Sequence, residues 1–250
     1  MVKPRVQEYT DFDTDLVTNR RQHTPLPATY QWAHSGPWYR LKSAAVYHTM
    51  KQVGRLYWYG RLHVRFVGRE KLAPFRHQAY FLYGNHTQPF GDPFMPMLLA
   101  GPQRASTLGA AANLGVPVFG PLLQLGGGVI LPETAAQTRR FLAYLKTLVA
   151  RGHPVAVYPE AHVWPYATQI RPFALGAFHY PVAFSCPVFA FTTTYQRGRT
   201  TVYVDGPFQP DRTRPAAEQR AALATQVHEA MAQRAKASTE HHVIYRRRPS

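Results

Sequence analysis

At 250 residues the chain can build one substantial domain around its own core and is too short for two. Its 45% apolar and 13% aromatic content exclude a disordered chain, and its single cysteine, Cys186, excludes an internal disulfide or a Cys-cluster zinc site and suits a reducing compartment. Lys and Arg number 29 against 13 acidic residues, a net charge of +16 that calls for an anionic partner: nucleic acid, membrane headgroups or a phosphorylated substrate.

Residues 1–29 are polar, with Asp11, Asp13 and Asp15 followed by Arg20, Arg21, Pro25 and Pro27, and read as an extended arm. Met1 to Arg21 carries charges throughout and is expected to hold no signal peptide. No run of 18 apolar residues exists, so no transmembrane span is expected. From Trp38 to Gly60, Trp38, Tyr39, Tyr47, Tyr57, Trp58 and Tyr59 alternate with Arg40, Lys42, Lys51 and Arg55, and a helix is expected. Such aromatics either pack on a core or sit at a headgroup boundary, where one end of the side chain is apolar and the other wet.

Leu62 to Val67 alternates as a half-buried strand and ends at Gly68; Ala79 to Tyr83 reads as a buried strand ending at Gly84. Pro93 then opens a helix through Phe94, Met97, Leu98 and Leu99. Arg104 to Leu108 reads as a strand, Ala110 to Leu114 as a helical turn, and Gly115 to Gly120 as a loop. Gly126-Gly127-Gly128 is a turn before Val129 to Leu131, since neither a GxGxxG nor a following Lys-Ser or Lys-Thr is present. Thr134 to Gln137 matches a capping box, with Phe141, Leu142, Leu145, Leu148 and Val149 on one helical face until Gly152. Val155 to Tyr158 is an uninterrupted apolar run, as in a parallel strand covered on both faces. Pro181 to Thr194 and Thr201 to Val204 are β-prone, Asp205-Gly206 reads as a turn, and Pro215 starts a helix to about Ala237 docked through Leu223, Val227 and Met231. Arg246 to Ser250 reads as a basic tail. The whole is an α/β single domain with a mostly parallel central sheet flanked by helices.

Two strand ends carry polar residues without an evident packing role. His86 lies six positions before Asp92 across a Gln-Pro-Phe-Gly turn, and Glu160 follows Pro159. Ligands of open α/β sheets bind at the carboxyl ends of strands, and an Asp-held imidazole is the usual general base; a His capping a loop is the structural alternative.

In this setting the sequence resembles the PlsC-type glycerophospholipid acyltransferases. The resemblance rests on Asn85-His86 through Asp92-Pro93-Phe94, Val157-Tyr158-Pro159-Glu160, Phe173 to Phe178 against the family's FKKGAF segment, and the proline-centred run Phe184 to Phe191. Val67 to Leu72 is similar to the G-x-E-x-L segment that precedes the first block. It implies a glycerol-3-phosphate acyltransferase-like fold over residues 61–237, after an arm and interfacial helix at 1–60 and before the tail at 238–250. It also implies transfer of a fatty acyl group from acyl-CoA or acyl-ACP, as co-substrate and with no other cofactor, to a hydroxyl of a lysophospholipid such as 1-acylglycerol-3-phosphate. His86 is then the base, Asp92 orients it, and Glu160 positions the acceptor beside Asn85.

The chain departs from the family in three places. Five residues separate His86 from Asp92 where relatives have four, so the loop must bulge by one. No Arg ends the strand before Pro132, which leaves Arg139 and Arg140 nearest; Ala161, His162 and Val163 stand where relatives have Gly and then Arg, with Arg171 or His162 as substitutes for the missing cation. An anionic membrane surface and no nucleic acid are the expected partners, with the protein peripheral on the cytoplasmic side. The competing readings are a metal-dependent hydrolase built on His86, Asp92, Glu160 and His162, a basic nucleic-acid binder without a recognised module, and a family member that keeps the fold without activity.

Overall fold

Alternate residues of the central strands serve two different cores, which is why these strands are apolar without interruption. In the computed structural model, which describes residues 4–12, 16 and 25–248, Phe81, Tyr83, Val155, Val157 and Val188 face one core with Phe141, Leu145, Leu148, Leu223, Val227 and Met231. Tyr80, Leu82, Ala156, Phe189 and Phe191 face the other, with Tyr47, Met50, Trp58, Phe94 and Leu98. A side-chain period of two on a strand buried on both faces produces this division.

The strands are β1 (Arg5–Tyr9), β2 (Arg65–Val67), β3 (Phe81–Gly84), β4 (Ser106–Gly109), β5 (Gly128–Ile130), β6 (Val155–Val157), β7 (Val188–Gln196), β8 (Arg199–Phe208) and β9 (Val243–Arg247). The helices are α1 (Pro37–Arg55), α2 (Met95–Leu99), α3 (Phe119–Leu122), α4 (Ala135–Ala150), α5 (His179–Phe184) and α6 (Ala216–Ala235). Seven strands form the main sheet in the order β2-β8-β7-β3-β6-β4-β5. All its pairings are parallel except the β7–β8 hairpin. β3 lies inside this sheet, between β7 and β6, so its carboxyl end opens beside two neighbouring strands.

The helix boundaries follow local chemistry. The Thr134 hydroxyl accepts the Gln137 amide proton while the Gln137 side chain accepts from the Thr134 N–H, closing the capping box. Gly152, at φ 70°, releases the chain after α4 and lies against the His77 carbonyl, so a side chain there would meet backbone. α1 passes directly into a π-helical turn, Leu56–Arg61, which buries Trp58. Among the described residues no helix is long and apolar enough to cross a membrane.

Four segments differ from the sequence expectation. The β-prone run from Pro181 opens within α5, which ends at Ser185 in the left-handed region (φ 51°), and the strand starts only at Val188. Asp205-Gly206 does not turn the chain; β8 runs on to Phe208 and absorbs an irregularity opposite Val188 and Ala190. The strand drawn from Leu62 starts at Arg65, because His63 takes a positive φ of 46°. The basic tail begins within a strand: Arg246 and Arg247 close β9, which pairs in parallel with β1, Val6 opposite Ile244. Asp13, Asp15, Arg20, Arg21 and Ser250 lie outside the described residues.

Candidate active site

The site starts where β3 runs out of backbone pairing. Gly84 is its last residue, and a Cβ there would sit 2.1 Å from the Phe191 ring, so only glycine lets β3 lie this close to β7. Asn85 then continues the ladder with its side chain: Nδ2 donates to the Thr193 carbonyl (3.0 Å) and Oδ1 accepts the Thr193 N–H (2.8 Å). Both ends of the amide bond the Thr193 peptide as a peptide unit would, so Asn85, expected near the substrate, is a buried structural bracket.

That bracket delivers His86 to the carboxyl end of β3. Its Nδ1 is 2.7 Å from Asp92 Oδ2, its ring stacks on Tyr158 (4.5 Å between centroids, 25°), and its side chain is 23% exposed. Asp92 Oδ2 also accepts the Gln88 N–H (3.0 Å), while the Asp92 N–H returns to the Gln88 carbonyl (3.3 Å). This closed turn absorbs the extra residue between His86 and Asp92. With an ionised carboxylate on Nδ1 the ring's proton stays there, and Nε2, to which no described residue hydrogen-bonds, keeps its lone pair. Burial raises the Asp92 pKa; the bond and charge of His86 and the Gln88 N–H oppose that without cancelling it.

The turn is held from three directions. From the π-helical turn, the Tyr57 hydroxyl donates to Gln88 Oε1 (2.8 Å) and Trp58 Nε1 to the Gly91 carbonyl (3.0 Å). From just past β6, the Tyr158 hydroxyl donates to the Asp92 carbonyl (2.5 Å), and burial, then the Asp92 charge, raises the pKa of this phenol well above its ordinary value. From β7, the Tyr195 hydroxyl accepts from Gln88 Nε2 (3.0 Å) and pairs with Thr87 Oγ1 (3.0 Å). Sequence reasoning missed Tyr57, Trp58, Gln88 and Tyr195 as parts of the site. Of these only Gln88, a polar residue between His86 and Asp92, carried a local signal.

Glu160 is buried and both its carboxylate oxygens are engaged. Oε2 accepts the His86 main-chain N–H (3.1 Å) and Arg171 Nη2 (2.6 Å), and Oε1 accepts the Arg171 N–H (3.0 Å). Arg171, 1% exposed, also donates to the carbonyl of His162 and lies 4.7 Å over the Trp164 ring. The expectation that Glu160 and Arg171 meet an acceptor gives way to a buried ion pair that grips the main chain of His86. His162 contributes its main-chain carbonyl to this cluster, and its side chain is half-buried. Ala161, where relatives carry Gly, adopts φ 63°, the left-handed conformation for which glycine is the usual residue.

Arg139 and Arg140 are exposed at the start of α4. β5, which precedes them, is three strands away from β3, or about 14 Å at the usual strand spacing. Arg140 donates to the Ala28 carbonyl (2.5 Å) and lies over the Trp32 ring, away from His86. Among the described residues no three His, Cys, Asp or Glu side chains are arranged to hold a metal ion. Glu160, one of the four residues of the hydrolase reading, faces Arg171.

Comparison with known proteins bears on the family and the fold. No curated protein matches the chain in sequence. The crystal structure of the 1-acyl-sn-glycerophosphate (LPA) acyltransferase PlsC from Thermotoga maritima shares its fold, with a TM-score of 0.60 over 81% of this chain and 83% of that one at 15% identity. The family model described as Acyltransferase matches residues 63–194, a span that holds His86, Asp92, Glu160 and Arg171. With more than half of its length inside that match, the chain belongs to the acyltransferase family.

Proposed function

We propose that this acyltransferase moves a fatty acyl group from a thioester, on coenzyme A or acyl carrier protein, to a hydroxyl of a lysophospholipid such as 1-acylglycerol-3-phosphate. The observation that carries the reading is the 2.7 Å contact of His86 Nδ1 with Asp92, which leaves Nε2 as a base on a partly exposed ring. The acceptor oxygen attacks the thioester carbonyl as Nε2 takes its proton. The tetrahedral intermediate collapses with cleavage of the C–S bond, and the proton passes from Nε2 to the departing sulfur. General-base assistance of this kind is typically worth about 100- to 10,000-fold. Asp92 balances the imidazolium that exists between the two proton transfers.

The acceptor class is supported by the likeness of fold to PlsC, whose described substrate is a lysophosphatidate. A membrane-bound acceptor is supported by α1 and the turn after it. Trp38 (74% exposed), Leu41, Val53, Leu56 and Tyr59 stand out from the surface, along a segment that also carries Arg40, Lys42, Arg55 and Arg61. Aromatic and basic side chains together suit an anionic interface, with about 1 kcal/mol for each basic residue near it.

The test is acyl transfer from labelled acyl-CoA and acyl-ACP to a panel of lysophospholipids in anionic and neutral vesicles, beside a His86→Ala variant. Ester product that disappears with the imidazole is expected. Equal product from both proteins would remove His86 from the mechanism, and product from a thioester and water alone would replace transfer by hydrolysis.

A further inference from the structure

The two ends of the described chain meet on the far side of the Glu160–Arg171 pair. Trp164, fully buried, is enclosed by Tyr9 of β1 (4.6 Å between centroids), Phe12 (5.9 Å) and Tyr245 of β9 (4.8 Å). The Tyr245 hydroxyl donates to the Pro165 carbonyl (2.8 Å), and the segment before β9 adds Thr168 Oγ1 to His241 Nδ1 (2.9 Å) and the His242 ring on both Tyr166 and Tyr195. The loop held in this way reaches His86 directly. The Trp164 N–H donates to the His86 carbonyl (3.0 Å) and the Tyr166 N–H to the Thr87 carbonyl (2.7 Å). The Trp164 ring also covers the Arg171 guanidinium, whose Nε and Nη1 find no hydrogen-bond partner among the described residues and are shielded by that indole.

We propose that the paired termini position the base: β1 and β9 fix Trp164, Trp164 fixes Arg171 and the Glu160 carboxylate, and these hold the main chain on either side of the His86 imidazole. Tyr245, Trp164 and Arg171 are therefore positioning residues that need not touch substrate. The inference rests on His86 as the reactive group. Its physical basis is that the imidazole hangs on one rotatable side chain, so its reach is set by where the peptide units around it are pinned. The His86 N–H is pinned by Glu160, and its carbonyl by Trp164 and Arg171. All three pins converge on the loop that the terminal strands cover. A displacement of about 1 Å at a reacting group costs on the order of 100-fold in rate, so a contact remote from the chemistry can register in turnover.

The test uses the full chain with Tyr245→Ala, Tyr245→Phe and Trp164→Leu, read by steady-state kinetics and by amide hydrogen exchange. Tyr245→Ala and Trp164→Leu are expected to lower kcat by about tenfold or more with KM kept within about twofold. Tyr245→Phe, which keeps the ring on Trp164, is expected to hold kcat within about threefold, the effect of one modest hydrogen bond. Exchange is expected to quicken in residues 84–92 and not in residues 135–150 of α4. Unchanged exchange in residues 84–92, or faster exchange in both segments together, would overturn the proposal, the second by reducing the clamp to general stability. A raised KM with unchanged kcat would overturn it by moving these residues into acceptor binding. Because exchange is read without substrate, it decides on the clamp even if the unaltered protein transfers no acyl group.

Discussion

Replacing Asp92 by Asn removes one charge from the site and little else. The Asn Oδ1 can take the place of Oδ2 and accept both His86 Nδ1–H and the Gln88 N–H, while its amide nitrogen falls where the carboxylate oxygen already lacks a partner. What is lost is the attraction between a buried carboxylate and the imidazolium formed on proton transfer. Two unit charges about 4 Å apart at an effective dielectric near 20 attract by roughly 4 kcal/mol. At about 1.4 kcal/mol per decade that is close to 1,000-fold in kcat, inside the range for general-base assistance.

Stability moves the other way. Burial raises the Asp92 pKa above its ordinary 3.8, so just above that pH the folded chain keeps a proton that the unfolded chain has released. The contribution of Asp92 to stability therefore falls as pH rises through the interval between the unfolded and folded values, and it stays low above it. The Asn variant, which never ionises, is expected to melt no lower than the unaltered protein at neutral pH while its turnover collapses. Acyl transfer followed by thiol release, together with thermal melts from pH 5 to 8, provides the assay. The double variant with His86→Ala is expected to be no slower than the slower single variant, because the two residues act as one unit. A kcat within a few-fold of the parent, or losses that multiply in the double variant, would refute the dyad.

Other consequences follow from the same geometry. Gly91→Ala puts a Cβ 2.7 Å from Tyr57 and 2.9 Å from Trp58, and should cost about 1–3 kcal/mol in denaturant melts and lower kcat by displacing the π-helical turn from Gln88. Asn85→Ala strands the Thr193 N–H and carbonyl in a buried place, and should cost about 2–4 kcal/mol by the same measurement. Ala161→Gly relieves the left-handed backbone at the position after Glu160, and should raise stability by about 1 kcal/mol with activity retained. At Asp205 burial raises the pKa but is outweighed by hydrogen bonds and charge from Arg234 and Lys71, so the net shift is downward. Its contribution is present above the ordinary carboxylate value of 3.8 and lost as pH falls through the lower folded value, and Asp205→Asn should flatten that acid limb in urea melts.

The residues whose chemistry is local could be read in order along the chain. Val155 to Val157 announces a two-faced strand because every side chain must be apolar, and Thr134 with Gln137 announces a helix start because four consecutive residues satisfy its orphan donors. His86 and Asp92 belong to the same class: six positions and a tight turn are enough to bring them together. The helix in α5 was hidden inside a β-prone run, since short apolar segments carry no period that separates the two.

What a polar side chain faces is settled only by packing. Glu160 and Arg171 resemble substrate ligands by type and position, yet Glu160 is bound to the main chain of a residue 74 positions earlier. Asn85 finds its partner 108 positions later, and the basic end of the chain becomes a strand only because β1 lies beside it. Burying such groups is favourable only when their hydrogen bonds are satisfied, and the partners that satisfy them come from strands the sheet order makes neighbours. Sequence by itself therefore determined which residues can do the chemistry, while the tertiary structure decided that His86 and Asp92 meet and that Glu160 and Arg171, covered by β1 and β9, hold the main chain of His86.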